Sequence, residues 1–236
     1  MSFISLAFQE CLYRPLFNGL IFLYNIFPWH DFGLSIVLLT VLIRLVLYPL
    51  NQKSIKSQAV LNKLQPEIKD LQQKYKDDKV RQSQEMMALY KTKNINPASG
   101  CLPLLIQLPI LFALYRVFWT GLDPSRLEAL YSFVSRPESI NPIFLGLVNL
   151  SQANIIMAIL AGAFTFIQSK MMAPKTSVGS GHDFSSALNK QMVYFMPLIT
   201  VFIAWKLPAG LVLYWIITTL FGIGQQYLIL RKKNGN

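Results

Sequence analysis

Long apolar runs alternate with polar, lysine-rich stretches along this chain, and the length of each run says which element to expect. The first clear run is Gly33–Leu50 (GLSIVLLTVLIRLVLYPL), interrupted by a single charge, Arg44. At the helical rise it extends about 27 Å, close to the roughly 30 Å of a bilayer's hydrocarbon core. Runs of the same kind cover residues 101–122, 153–171, 191–206 and 211–230. The pattern therefore predicts an all-α membrane protein with five transmembrane helices.

The stretches between the runs predict the remaining elements. Residues 51–96 are polar, yet Val60, Leu61, Leu64, Ile68, Leu71 and Tyr75, then Met86, Met87, Leu89 and Tyr90, recur at helical spacing. Tyr75–Lys79 separates the two sets, with Asp77 or Asp78 as the N-cap of the second. The expectation is a helical hairpin outside the bilayer. Residues 123–150 form a connector with Pro124, Pro137 and Pro142, and residues 172–190 a Ser/Gly-rich loop. Pro208-Ala209-Gly210 makes a tight turn, and residues 231–236 are a basic tail. Within residues 1–32, Leu16–Trp29 is apolar but short, and Asn18 and Asn25 interrupt it. Such a segment reads as a helix lying at the membrane interface. The alternative is a sixth span beginning near Ser2.

Composition sharpens this picture. Charged residues are 14% of the chain, against about 25% in a soluble domain. Mean hydropathy is +0.39 and net charge is +11. A basic balance suits nucleic acid or anionic lipid, and the position of the charges decides between them. With the 51–96 hairpin in the cytoplasm, cytoplasmic segments carry 16 Lys/Arg and external ones carry five, Arg14, Arg116, Arg126, Arg136 and Lys206. That places the protein in the cell (inner) membrane with the N-terminus outside and the C-terminus inside. Cys11 and Cys101 then lie on opposite sides, so no disulfide is expected. Met1–Glu10 has no Lys or Arg, unlike a cleaved signal peptide, and Gln9 and Glu10 argue against lipidation at Cys11. His30 and His182 stand alone, no cluster has metal-ligand spacing, and no GxxxxGK loop occurs. No cofactor, metal or catalytic residue is expected.

Arg44 is the most informative residue. A guanidinium within a span costs about 2.5–3.5 kcal/mol on insertion scales, and the five runs contain no Asp or Glu. Either its stem snorkels to the headgroups, or it faces a water-filled cavity. Polar neighbours favour the cavity. Thr40, Arg44 and Tyr48 recur every four residues, Tyr214, Thr218 and Gln225 share a face of the last run, and Gln107 lies inside the second. Each alone could be interhelical hydrogen-bond glue. An internal repeat, as in many carriers, is missing, and so is an acidic ring of the kind channels use.

Several stretches carry a family likeness, in order along the chain. They are Thr40-Val-Leu-Ile-Arg44 with Tyr48-Pro49-Leu50, Gln84–Lys91 (QEMMALYK), Asn96–Pro103 (NPASGCLP) with Gln107-Leu108-Pro109, and Met196-Pro197-Leu198 with Pro208–Trp215 (PAGLVLYW). With these the chain resembles the YidC/Oxa/Alb family of membrane protein insertases, and bacterial members without a large extracytoplasmic domain in particular. A departure is Thr218-Thr219, where an asparagine is common nearby.

The resemblance implies a five-helix core around a hydrophilic groove, open to cytoplasm and lipid and closed outside, with Arg44 in the groove and Tyr214 and Trp215 beside the substrate's path. It implies an external amphipathic N-terminal helix rather than a sixth span. The implied function is insertion and chaperoning of membrane proteins without covalent chemistry. Implied partners are nascent membrane proteins, the ribosome, the signal recognition particle pathway and a Sec translocon. The 51–96 hairpin reads either as a docking arm for these or as a basic appendage on anionic lipid. No specific nucleic-acid sequence is expected as a ligand.

Overall fold

The computed structural model describes residues 3–28, 30–93, 95–96, 102–120, 129–173 and 184–234. Residues 97–101, with Cys101, and 174–183, with His182 and most of the Ser/Gly-rich loop, lie outside the described residues. The chain opens with a helical run made of α1 (Phe3–Phe8), a π-helical turn (Gln9–Tyr13) and α2 (Arg14–Ile26). Then follow α3 (Phe32–Val46), α4 (Tyr48–Lys63), α5 (Gln65–Lys74), α6 (Lys79–Thr92) and α7 (Leu102–Thr120). A short antiparallel ribbon, β1 (Ile143–Phe144) and β2 (Val148–Asn149), precedes α8 (Ile155–Met172), α9 (Phe184–Ala204) and α10 (Ala209–Asn234).

Side-chain caps set several of these starts, because the first backbone N–H groups of a helix need an acceptor. Asp31 accepts from Leu34 N at 3.0 Å and opens α3, Asp78 does the same for α6 through Arg81 N at 2.9 Å, and Asn154 opens α8 through Met157 N at 3.1 Å. The 129–150 connector is bonded to α2 and to the start of α10, and α4 continues from α3 and contacts α10.

The bundle exterior is rich in large apolar side chains. Val46 of α3, Phe112 of α7, Ile156 of α8, Leu198 and Phe202 of α9 and Leu228 of α10 are all exposed. An apolar surface on this scale fits lipid as its solvent rather than water. Among the described residues, α8 and the Ala209–Arg231 part of α10 are each long and apolar enough to cross a bilayer. Helices α3 and α4 pass that test as a pair bent by 65°, while α7 and α9 contribute shorter apolar stretches, Leu105–Phe118 and Val193–Ala204.

Several element boundaries differ from the sequence expectation, each for a local reason. The first run, 33–50, is not one straight helix. Pro49 has no N–H to give to the preceding turn, so the chain breaks at Leu47 and restarts as α4. Pro66 does the same one arm further on, dividing the first arm of the hairpin at Leu64. The loop expected at 172–190 is shorter, because α9 already begins at Phe184, where Ala187, Leu188 and Lys190 favour helix. The basic tail continues α10 as far as Asn234.

The largest difference concerns the N-terminal segment. Asn18 and Asn25 do not interrupt its helix; they tie it to the connector. Buried Asn18 donates from Nδ2 to Ala129 O at 2.9 Å and accepts from Tyr131 N at 2.6 Å. Asn25 donates to Ser135 O at 2.6 Å, and the Tyr24 hydroxyl accepts from Asn141 N at 3.0 Å. The same helix buries Phe17, Leu20, Ile21 and Tyr24 against the bundle. These polar bonds and apolar contacts form a clasp over the connector end.

Asn18→Ala removes the partners of two connector backbone groups, Ala129 O and Tyr131 N. Stranding buried backbone groups costs about 1–3 kcal/mol each, so this variant should unfold some 2–4 kcal/mol more easily. Denaturant unfolding of the purified protein in micelles, read beside an exposed control in the arm such as Gln73→Ala, checks this.

Candidate functional site

Arg44 lies on the last turn of α3, half-buried among apolar helices. Its guanidinium Nη2 donates to Gln107 Oε1 of α7 at 3.1 Å. Gln107 Nε2 in turn donates to the Tyr214 hydroxyl of α10 at 2.5 Å. The direction of this chain is fixed chemically. Arginine has only donors, so the carboxamide must turn its oxygen to Arg44, and its amino group is then left for Tyr214. Three helices are thus joined by one neutral side chain. Among the described residues no carboxylate pairs with Arg44, and both ion pairs present, Arg14–Glu10 and Lys93–Glu67, are far along the chain from it.

The other expected site residues fall into different places. Gln225 is buried on α10 and donates from Nε2 to Tyr48 O at 3.0 Å, bracing the α3–α4 bend. Tyr48 itself stands on α4, past the bend, so the Thr40-Arg44-Tyr48 stripe does not run along one straight helix. Thr40 is fully buried and returns its hydroxyl to Ile36 O at 2.6 Å, which satisfies it within its own helix. Thr218 is buried one turn beyond Tyr214. Trp215, partly exposed, belongs to an adjacent face of α10, and its carbonyl accepts from Thr219 Oγ1 at 2.8 Å.

Several interior polar residues escape the sequence reading, Ser35 and Thr200 among them. Asn51 and Ser54, three positions apart at the start of α4, are buried although that segment was read as a solvated arm. Gln226, next to Gln225, is buried as well. The signal was present in the polar pair at helical spacing immediately after an apolar run.

Toward the connector end buried residues are mainly apolar, with Asn18, Ser35 and Thr40 among them, while polar side chains gather at the other end beside Ile55, Ala59 and Ile229. Toward the connector end lie Phe17, Phe32, Ile36, Leu114, Val117, Phe118, Leu211, Val212 and Leu213. Toward the other end lie Thr218, Thr219, Gln225, Gln226, Asn51 and Ser54. Arg44, Gln107 and Tyr214 sit at the change-over. Side-chain Oε1 of Gln226 and Nδ2 of Asn51 are buried without a hydrogen-bond partner, which leaves the polar half with spare hydrogen-bonding capacity.

A helical membrane protein with an apolar cap, a polar lower interior and an arginine at the boundary is the class that this geometry defines. The chain belongs to the 60Kd inner membrane protein family, whose model matches residues 22–236. A membrane protein insertase YidC from Fusobacterium nucleatum is 36% identical over 202 residues, covering 86% of this chain and 87% of the relative. One of the same name from Syntrophus aciditrophicus is 39% identical over 225 residues, covering 94% of this chain but 37% of the relative. The chain therefore spans little more than a third of that longer protein. A crystal structure described as an active YidC insertase with its first transmembrane domain resolved matches with a TM-score of 0.60 at 32% identity, over 91% of this chain and 46% of that one.

If Gln107 couples Arg44 to Tyr214, the two contacts are not independent. A double-mutant cycle with Arg44→Met and Gln107→Leu should give a coupling energy of about 1–2 kcal/mol in unfolding measurements in micelles. Strict additivity would mean that the hydrogen bond contributes nothing to stability.

Proposed function

We propose that this chain is a membrane protein insertase that works through a positively charged hydrophilic groove. The observation that carries the reading is the Arg44–Gln107–Tyr214 chain at the boundary between the apolar and polar halves of the bundle. Guanidinium offers five N–H donors, and among the described residues a single neutral side-chain amide meets them. The remaining donors suit water or an incoming polar chain. Five spans enclose the groove, with the N-terminus outside and the α4–α6 arm in the cytoplasm, as the Lys/Arg distribution requires.

In this mechanism the polar half admits water from the cytoplasmic side, and the apolar clasp closes the outside. A substrate's polar tail then has to cross less than the full ~30 Å of hydrocarbon. Arg44 attracts acidic or polar groups of that tail. The substrate's apolar segment passes Tyr214 and Trp215 into lipid, driven by removal of apolar surface from water, and the membrane potential favours outward movement of negative charge. No bond is made or broken. The basic arm docks the arriving nascent chain or the ribosome, targeting factor or translocon that delivers it, and its lysines also suit anionic lipid.

Solvent access at position 44 tests the groove. With Cys11 and Cys101 replaced, Arg44→Cys in membranes should label fast with a water-soluble thiol reagent from the cytoplasmic side, while lipid-facing Leu42→Cys should not. Protection at both positions would overturn the groove. Arg44→Ala should lower insertion of substrates with acidic tails about tenfold or more, equivalent to roughly 1.4 kcal/mol, and affect neutral tails less. Arg44→Lys should restore part of the loss, since a lysine supplies the charge without the planar fork. A panel of reporter substrates differing only in tail charge provides the measurement.

A further inference from the structure

The ribbon in the connector carries a feature that neither the groove nor the clasp uses. Its turn is closed by Leu147 N donating to Phe144 O at 2.9 Å, with φ of +49° at Leu145 and +72° at Gly146. Positive φ at both central positions is the geometry that favours Asn-Gly. Here the first position is leucine, for which the left-handed region is strained. The same tip is highly exposed, with Leu145 at 59% and Leu147 at 85%, and Ile143 is exposed beside it. A turn in water would relieve both penalties with a single asparagine. A turn in lipid removes the second and makes exposure favourable.

The position of the tip agrees. Leu145 N donates at 2.8 Å to Asp31 Oδ2, and the other oxygen of Asp31 caps α3. The Phe144 ring lies flat against Gly33, where an added Cβ would come within 2.1 Å of it, so the ribbon is seated directly on the first turn of α3. Beyond β2, Leu150 O accepts from Gly210 N at 2.9 Å and Gln152 O from Ala209 N at 2.8 Å, which ties the connector to the start of α10. The ribbon is thereby held at the depth where two bundle helices begin. A notch between tip and helix is lined by Leu34, Ile143, Leu145 and Gly146, with the polar Asp31 and Asn141 at its side. Leu34 is also the first of Leu34, Leu38, Leu42 and Leu45, which share one face of α3, with Leu42 and Leu45 exposed. The apolar face of α3 thus leads through Leu34 to the turn.

We propose that the Leu145-Gly146-Leu147 turn is a lipid anchor, its leucines placed in the headgroup–acyl boundary of the leaflet at the connector end. Burying them there, at a site fixed rigidly to α3 and α10, sets the depth of the closed end of the bundle. The inference rests on the reading that α3 lies in the bilayer, and the test separates the two.

The probe is an environment-sensitive fluorophore on single cysteines of the full chain, Cys11 and Cys101 replaced, in vesicles of phosphatidylcholine and phosphatidylglycerol. Leu147→Cys is the reporter, Ile143→Cys guards against a local effect of the substitution, Leu42→Cys reports the α3 face and Val80→Cys the aqueous arm. At position 147, and more weakly at 143, quenching by nitroxide placed high on the acyl chain should exceed severalfold both quenching by deep nitroxide and quenching by aqueous iodide. Position 42 should respond to the deep nitroxide and position 80 to iodide. Iodide quenching at 147 with lipid quenching kept at 42 overturns the anchor alone. Protection of 147 from every quencher overturns it too, in favour of a protein partner on the tip. Iodide quenching at 42 overturns the placement of α3 in the bilayer.

Discussion

A guanidinium cannot shed its charge, and hydrocarbon offers it nothing to bond to. Most of this architecture can be understood as the arrangement that lets Arg44 remain on a membrane-level helix. A carboxylate partner would neutralise it but would also hold it, because a desolvated ion pair is costly to separate. The partner supplied is a carboxamide, which accepts one hydrogen bond and passes the polarity on to a phenol. The charge is oriented without being cancelled, and its field is still available to a third party.

The choice is tolerable only because the rest of the bundle is asymmetric. Above Arg44 the interior is filled by aromatic and aliphatic side chains and closed by the N-terminal helix and connector. This half has the apolar burial and satisfied backbone groups expected of a rigid unit. Below Arg44 the interior holds threonine, glutamine, asparagine and serine beside a few aliphatic side chains such as Ile55 and Ile229, and the α3–α4 bend opens the helix path where Pro49 breaks it. Stability is concentrated at one end, so the other end can carry open hydrogen-bonding capacity. Regions that exchange partners are generally drawn from the less stable part of a fold.

Much of this was legible in the chain. Each apolar run contains a helix, Asp78 caps α6 where Asp77 or Asp78 is expected to, and Arg44, Gln107 and Tyr214, each notable in the sequence, are bonded in one chain. What escaped was anything that depends on a partner distant in sequence. Asn18 and Asn25 look like breaks in an apolar stretch until the carbonyls of Ala129 and Ser135, more than a hundred residues away, are set against them. The stripe through Thr40, Arg44 and Tyr48 holds only for a straight helix, and Pro49 bends the path between Arg44 and Tyr48. Thr40 illustrates a further ambiguity, because a hydroxyl within a helix can satisfy itself on the carbonyl one turn back and so need not line a cavity at all.

Gln225 shows how the two halves are kept in register. It is too far from Arg44 in sequence to belong to the same cluster by spacing, yet its amide donates to the carbonyl of Tyr48, the first residue of α4. A carbonyl oxygen has two lone pairs, so Tyr48 O in the first turn of α4 can take a bond from a side chain of a neighbouring helix. The bend is therefore pinned to α10, the same helix that presents Tyr214 to Gln107. Any movement of α10 would be felt at both contacts together, the one that orients the arginine and the one that holds the α4–α6 arm at its angle. The arm and the charged site are then parts of one mechanical unit, joined by α10.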